Sequence, residues 1–591
     1  MNVTSIDWAI IAAFFVISLL IGLYTSKKAG SSAKEFFLSG RNMPWWLLGV
    51  SMVATTFSAD TPNLVTDIVR KNGVAGNWAW WAFLLTGMLT VFVYAKLWRR
   101  SEVTTDLEFY ELRYSGKGAA FLRAFRAIYL GVFFNVVIMA TVSLAAIKIG
   151  GVMLGLTPVQ TLLIASVVTV VYSSLGGLKG VLLTDFFQFF IAIIGSFGAA
   201  YYIIGLPEIG SINSLLTHEN VSGKLDFLPD FSDPNAYIPL FLMPIAIQWW
   251  ATWYPGAEPG GGGYIAQRML SAKDEKHAIG ATLFFNIAHY ALRPWPWILI
   301  ALASLVVYPN ISDLQTAFPN IPADKLGDDL AYSAMLTFLP TGLIGLVLAS
   351  LIAAVMSTLS THLNWGSSYI VNDFYLRFLK PEASDKELVA VGRISTVVLM
   401  CLSAILALAL SSALDAFNIL LQIGAGTGLI FILRWFWWRI NAYTEISAMA
   451  ISFVVAIFFE VINPKVNWIM IPENQAYLKL VYSVSITTIG WLIVTFITAP
   501  EKDEVLLSFY RKVTPAAFGW KKVLDRYPEE RQVIGQLPKE IGLMMIGSAM
   551  VYAALFSTGF FIYGNMLGGF IAGAIALVGG VVIIRSWKNL S

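Results

Sequence analysis

GLVLASLIAAVMSTLSTHLNWGSSYIVNDF, residues 345–374, carries a row of small and hydroxyl side chains through an otherwise apolar run. Ala354, Ser357, Thr358 and Thr361 fall at i, i+3, i+4 and i+7, so they share one helical face, with Ser360 on its flank. Inside a bilayer no water is available to bond hydroxyls, so lining them up implies something polar lying against them. Hard cations take neutral oxygen ligands, which hydroxyls and loosened backbone carbonyls supply. The stripe reads as half of a sodium site.

Composition puts that helix in a membrane. The 591 residues are 57% hydrophobic and 13% charged, far from the soluble average. About fifteen apolar stretches, from 7–26 to 565–586, are long enough to cross a hydrocarbon core of roughly 30 Å. The expected fold is therefore all-α and integral to the membrane. With alternating spans and the N-terminus outside, only Arg70, Lys71, Lys224, Lys325 and Lys465 of the 39 Lys and Arg fall in outer segments. Arg99, Arg100, Arg268, Arg434 and Arg439 are among those read as inner anchors. This skew predicts an outer N-terminus and a cytoplasmic C-terminus. The net charge of +3 then marks topology and gives no reason to expect nucleic acid.

Other signals exclude more than they add. The single cysteine, Cys401, leaves no internal disulfide or cysteine metal cluster. The four histidines lack metalloenzyme spacing, no nucleophile–base constellation stands out, and the outer loops near 205–235 and 308–329 are too short for enzyme domains. Met1–Asp7 lacks the basic start of a signal peptide, so the first apolar segment is expected to remain as a span. The charged inner loop at 501–539 contains VLLSFYRKV and is expected to hold an interfacial amphipathic helix.

Two spans are expected to be broken. The second, 43–70, places Thr55, Thr56, Ser58, Asp60, Thr61 and Pro62 at mid-membrane depth; the seventh, 236–268, carries Pro255 and Pro259, Glu258 and the glycines 260–263 within QWWATWYPGAEPGGGGYIAQRML (248–270). Neither composition supports an unbroken apolar helix. The breaks lie five spans apart, and five is odd, so the two five-span units would be inverted copies. Interrupted helices at matching places in inverted repeats mark the substrate site of a secondary transporter.

Four segments together resemble the sodium/solute symporter family, which includes bacterial and animal sodium/sugar cotransporters. They are GLVLASLIAAVMSTLSTHLN above, YSSLGGLKGVLLTDFFQ (172–188), YIAQRMLSAKDEKHA (264–278) and FWWRINAYTEISA (436–448). The resemblance implies a LeuT-like core of ten helices with a 5+5 inverted repeat, broken in its first and sixth helices. Here the core spans 43–437, after an N-terminal part (1–42). Two further spans (438–500), the inner loop (501–539) and two C-terminal spans (540–591) follow. For the sodium site it implies the carbonyls of Ala54, Phe57 and Ala354 with the side chains of Ser357 and Thr358. A second sodium site of some members maps to Asp185, Ser357, Ser360 and Thr361.

For the solute, the resemblance places Thr61 at a polar sugar-contacting position and His289 at that of a substrate-bonding lysine. Asn418 and Gln422 fall where amides bond sugar hydroxyls. Asp60, Asn63, Trp80 and Arg293 line the same expected cavity. The family's Asn and Tyr positions in the seventh span have no clean counterpart, and Trp253, Tyr254 or Glu258 stands there. Polar amides among aromatic rings suit a monosaccharide or sugar derivative. Arg293 leaves a carboxylate or amino-acid solute open. Asp60, Glu258 or Asp185 leaves proton coupling open, and a membrane sensor is the remote alternative. The expectation is a sodium-driven importer of a small polar solute working by alternating access, not an enzyme. Its setting would be the lipid bilayer of a bacterial inner membrane, and the oligomeric state is left open.

Overall fold

The computed structural model describes residues 3–56, 58–251, 258–319, 321, 326–410, 424, 426–472, 475–530 and 536–587, without the side chains of 28, 29, 172 and 175. Among these residues the chain is helical throughout, joined by short turns and small loop helices.

Among the described residues, eleven helices are long and apolar enough to cross a membrane. Each coincides with one of the expected spans. The other four expected spans differ in a physical way. Span 43–70 is two half-helices, and 157–175 is a shorter apolar piece, Pro158–Val171. Span 236–268 is a series of short turns around residues outside the described set, and most of 413–437 lies outside it.

The first helix, α1, is Ser5–Ala29; α2 (Trp45–Thr56) and α3 (Asp60–Asn72) are the halves of the second span. Pro62 sits in the first turn of α3, where its missing N–H costs nothing. Next come α4 (Val74–Ser101) and α5 (Gly116–Leu154). The long α6 (Pro158–Ile204) opens on a capping box between Thr157 and Gln160. It bends at Gly177, whose φ of 53° and ψ of −164° no helix allows. That bend is where the sequence reading divides two spans. After the second break come α7 (Gly263–Ser271), α8 (Glu275–Val307), α9 (Leu343–Leu379) and α10 (Asp385–Ala409). α11 (Ala442–Val466) and α12 (Leu478–Ile497) follow the core.

α13 (Asp503–Val513) departs from expectation. It is amphipathic, but Leu506, Leu507, Phe509, Tyr510 and Val513 are buried against protein rather than open to lipid. The Arg113 guanidinium lies 5.4 Å from the Phe509 ring and 5.0 Å from that of Trp520. The Trp520 indole in turn donates to the Trp435 carbonyl at 3.0 Å. Core residues thus supply the apolar surface that a membrane would have offered.

The last two helices, α14 (Leu537–Ile562) and α15 (Met566–Ser586), form a hairpin. α14 is fastened to α4 by Tyr552 donating to the Trp81 carbonyl at 2.7 Å and by a buried Lys96–Glu540 ion pair. To α8 it is fastened by Trp295 donating to the Leu555 carbonyl at 2.9 Å.

Candidate ion and solute site

Ending α2 at Thr56 frees backbone carbonyls that a continuous helix would have bonded, and buried carbonyls need partners. Arg293 on α8 donates to Val53 O and Thr56 O, both at 3.1 Å. Thr358 on α9 donates to Thr55 O at 2.7 Å. Part of the hydroxyl stripe thus meets the first break directly. Of the shared-site residues, Ala54, Ala354, Ser357 and Thr358 are buried, and Thr358 makes the contact to α2; Phe57 lies outside the described residues.

The second set gathers around Asp185 on α6. Its carboxylate accepts from Ser51 at 2.5 Å and from Ser357 at 2.6 Å. Arg268 on α7 stands 3.8 Å from the same carboxylate, and both side chains are fully buried. Arg268 also donates to Ser51 at 3.1 Å and to Thr361 at 2.8 Å. Ser360 turns to the Ser357 carbonyl at 3.0 Å. A guanidinium therefore stands among the oxygens expected to share a second sodium. The sequence reading took Arg268 and Arg434 for inner-surface anchors. Both are buried side chains instead, with Arg434 3.5 Å from Glu445.

The solute candidates divide into two groups. Trp80 donates to Asn77 at 2.8 Å and turns its ring to His289, centroids 5.6 Å apart. His289 touches Arg293, which joins this group to the α2 break. Thr61 caps the same break by donating to Thr56 O at 3.4 Å, and Asp60 stands beside it in the first turn of α3. Further along α3, Asn63 and Thr66 lie one turn apart. Asn63 Oδ1 and Thr66 Oγ1 are buried with no hydrogen-bond partner among the described residues. Asn418, Gln422, Trp253 and Tyr254 lie outside the described residues.

Glu258 pairs with Arg126 on α5, and both are buried. Around them Arg126 lies over the rings of Tyr110 and Phe431, at 5.6 and 4.9 Å, and Tyr114 donates to Glu445 at 2.5 Å. The backbone after the second break is held here as well. Gly260, at φ 87°, passes against the Tyr94 ring, where a Cβ would sit 2.9 Å from it, and Trp98 donates to its carbonyl at 2.8 Å. Asp106, in the loop between α4 and α5, accepts from the Gly263 amide at 2.9 Å. Burial pushes the Asp106 carboxyl up to about 6, with Glu258 adding to the rise. The family resemblance puts Glu258, Trp253 or Tyr254 at a solute-contacting position, and nothing in the sequence shows that Glu258 has Arg126 as a partner.

The family model described as the sodium:solute symporter family matches residues 36–452. The sodium/glucose cotransporter of Vibrio parahaemolyticus is 27% identical over 474 residues, covering 77% of this chain and 85% of the relative. The Homo sapiens sodium/myo-inositol cotransporter 2 is 27% identical over 554 residues, covering 84% and 78%. Among solved structures, that of a Na+-coupled sialic acid symporter in a substrate-bound outward-open state superposes with a TM-score of 0.66. It is 21% identical and covers 85% of this chain and all of that one, a likeness of fold.

Proposed function

This chain belongs to the sodium:solute symporter family, and we propose that it imports a monosaccharide or related polyhydroxylated solute. Sodium is the coupling ion, as the family implies, and the protein is an integral membrane transporter rather than an enzyme. The observation that carries the reading is the bond from Thr358 to the Thr55 carbonyl. It brings the α9 hydroxyls against the broken helix whose free carbonyls complete a neutral oxygen cradle. On this reading Ala54, Phe57, Ala354, Ser357 and Thr358 hold one sodium ion.

The solute pocket adjoins it, formed by Trp80, His289, Asp60, Thr61 and Asn63 with Asn418 and Gln422. Relatives named for glucose, mannose and myo-inositol support a substrate with several hydroxyls. Rings such as Trp80 suit the C–H faces of a sugar, and Asn63 supplies a directional acceptor. The carboxylate alternative loses ground because Arg293 spends donors on Val53 O and Thr56 O. The proton alternative loses ground because Asp185 and Glu258 each face a fixed guanidinium.

Transport proceeds by alternating access. Sodium joining α2 to α9 completes the solute pocket, and by linkage each ligand raises affinity for the other by the same factor. Parting α2 from α9 stretches the oxygen set and releases the ion on the cytoplasmic side. That side is assigned from the Lys/Arg skew, with the N-terminus outside and a bacterial inner membrane as the setting. Each charge moved inward adds about 2.3 kcal/mol per 100 mV of inside-negative potential.

Thr358→Ala tests the cradle. Losing one buried hydroxyl contact worth about 1 kcal/mol should raise the sodium concentration for half-maximal uptake about fivefold, while Thr358→Ser stays near the parent. Unchanged sodium dependence in Thr358→Ala and in Ser357→Ala, at normal expression, removes this site.

A further inference from the structure

Along the outer face of α5, Phe121, Phe125, Tyr129 and Phe133 form a ladder of stacked rings. Successive centroids are 5.7, 5.0 and 6.2 Å apart, with interplanar angles of 14°, 22° and 15°. In a straight α-helix, positions four apart drift about 40° around the axis per step. A π-turn at Tyr129–Phe134 under-rotates the chain and keeps Phe133 over Tyr129. Opposite the ladder runs α11 from Ile446 to Phe453, and between the two walls lies an apolar groove of about 490 Å³.

Both walls belong to helices long and apolar enough to span a membrane, so the groove opens to hydrocarbon. Its occupant is then either another transmembrane helix or a lipid chain. Helices that associate in bilayers approach through small residues. This groove is walled almost entirely by Phe, Tyr, Ile and Met, with Ala450 as its one small side chain. Its bulk disfavours a helix. From Phe121 to Phe133 the ladder is about 18 Å long, close to half of a roughly 30 Å hydrocarbon core and so to one leaflet.

The groove also has a polar mouth. Lys117 is exposed one turn before Phe121, and Tyr443, 55% exposed, stands at the start of α11. The two helix starts touch, because a Cβ on Gly118 would lie 3.0 Å from Ala442 and 3.9 Å from the Tyr443 ring. Lys and Tyr are the residues that anchor at headgroup level.

We infer that this groove seats one acyl chain of an anionic phospholipid, with its phosphate at Lys117 and its chain along the ring ladder. The occupant bears on transport as well. Met449, in the wall, accepts from Arg126 at 3.5 Å, and Arg126 pairs with Glu258 after the second break. A chain lying on Met449 therefore braces the residue that steadies an internal ion pair.

The test uses the full chain in phosphatidylcholine vesicles containing a trace of phosphatidylglycerol with a photoactivatable diazirine in its acyl chain. After irradiation, adducts on 121–133 are quantified against those on the lipid-facing helix α12. Labelling should concentrate on the ladder, and Ala450→Trp, which fills the groove from a lipid-exposed position, should remove most of it. Lys117→Glu should lower the preference for the phosphatidylglycerol probe over the matching phosphatidylcholine probe about fivefold, the worth of one lysine at an anionic surface. Lys117→Arg should keep that preference. Three results overturn the inference: even labelling around the perimeter, an Ala450→Trp variant that transports normally and labels like the parent, or a second copy of this chain cross-linked at the ladder.

Discussion

Asp185→Asn separates an internal ion pair from a second sodium site. The Asp185 carboxylate and the Arg268 guanidinium are 3.8 Å apart and fully buried. At an effective dielectric constant of about 20, their attraction at that distance is about 4 kcal/mol. Removing one partner should cost about 3–5 kcal/mol, because the other charge stays buried without compensation. Arg268→Gln should therefore destabilise about as much as Asp185→Asn, and the double variant should cost clearly less than the sum. Unfolding of the purified protein in mixed micelles on titration with dodecyl sulfate measures all three. Reversal potentials in reconstituted vesicles then count ions. If Arg268 supplies the counter-charge, both the parent and Asp185→Asn carry one sodium per solute. Arg268→Gln, left with a bare carboxylate bonded by Ser51 and Ser357, should recruit a second cation and move the ratio toward two. A parent ratio of two that falls to one in Asp185→Asn, or strictly additive stabilities, would refute the pairing.

Three further outcomes are expected. Replacing Thr61 or His289 with alanine should weaken solute binding about fivefold or more, one hydrogen bond's worth, while sodium binding measured without solute stays close to the parent. Glu258→Gln should destabilise by about 3–5 kcal/mol by stranding Arg126, and Glu258→Gln combined with Arg126→Leu should recover part of that loss; a double loss equal to the sum of the two single losses would mean the pair is not coupled. Asp106 holds its proton up to about pH 6 in the folded protein, above its ordinary value of 3.8. The folded state thus binds a proton that the unfolded chain lacks, so this group's contribution to stability rises as pH falls from about 6 toward 3.8 and is lost as pH rises through about 6. A melting curve series over that range should show the trend in the parent and its loss in Asp106→Asn.

The hydroxyl row of α9 and the break after Thr56 are both local patterns, which is why they were legible. Helical periodicity fixes which side chains share a face, and a Ser-Ala-Asp-Thr-Pro run marks where an apolar helix stops. What periodicity leaves open is which distant residue arrives at that face. Arg268 was counted with the cytoplasmic anchors because it ends an apolar run before a lysine-bearing turn. Its position against Asp185, 83 positions away, depends on how α7 packs on α6. Arg293 was read as a solute cation, since nothing in the sequence says that Val53 and Thr56 would lose their own helix partners just opposite. The partner of Glu258 is hidden from the sequence for the same reason, because Arg126 is 132 positions away. One signal was available: an arginine inside an apolar helix must have a counter-ion or carbonyl partners, so each one advertises a break or an acid somewhere else in the fold.

The C-terminal hairpin offers a handle on motion. α14 is fixed at both ends of its contact, to α4 through Trp81 and Lys96 and to α8 through Trp295, while α15 lies beyond it with Leu577 and Ile584 turned outward. Whatever displacement α4 and α8 undergo during a transport cycle must therefore be carried outward through the hairpin. A spin label or dye at position 577 would then act as a remote pointer, reporting a rearrangement inside the bundle from a place that touches neither ion nor solute.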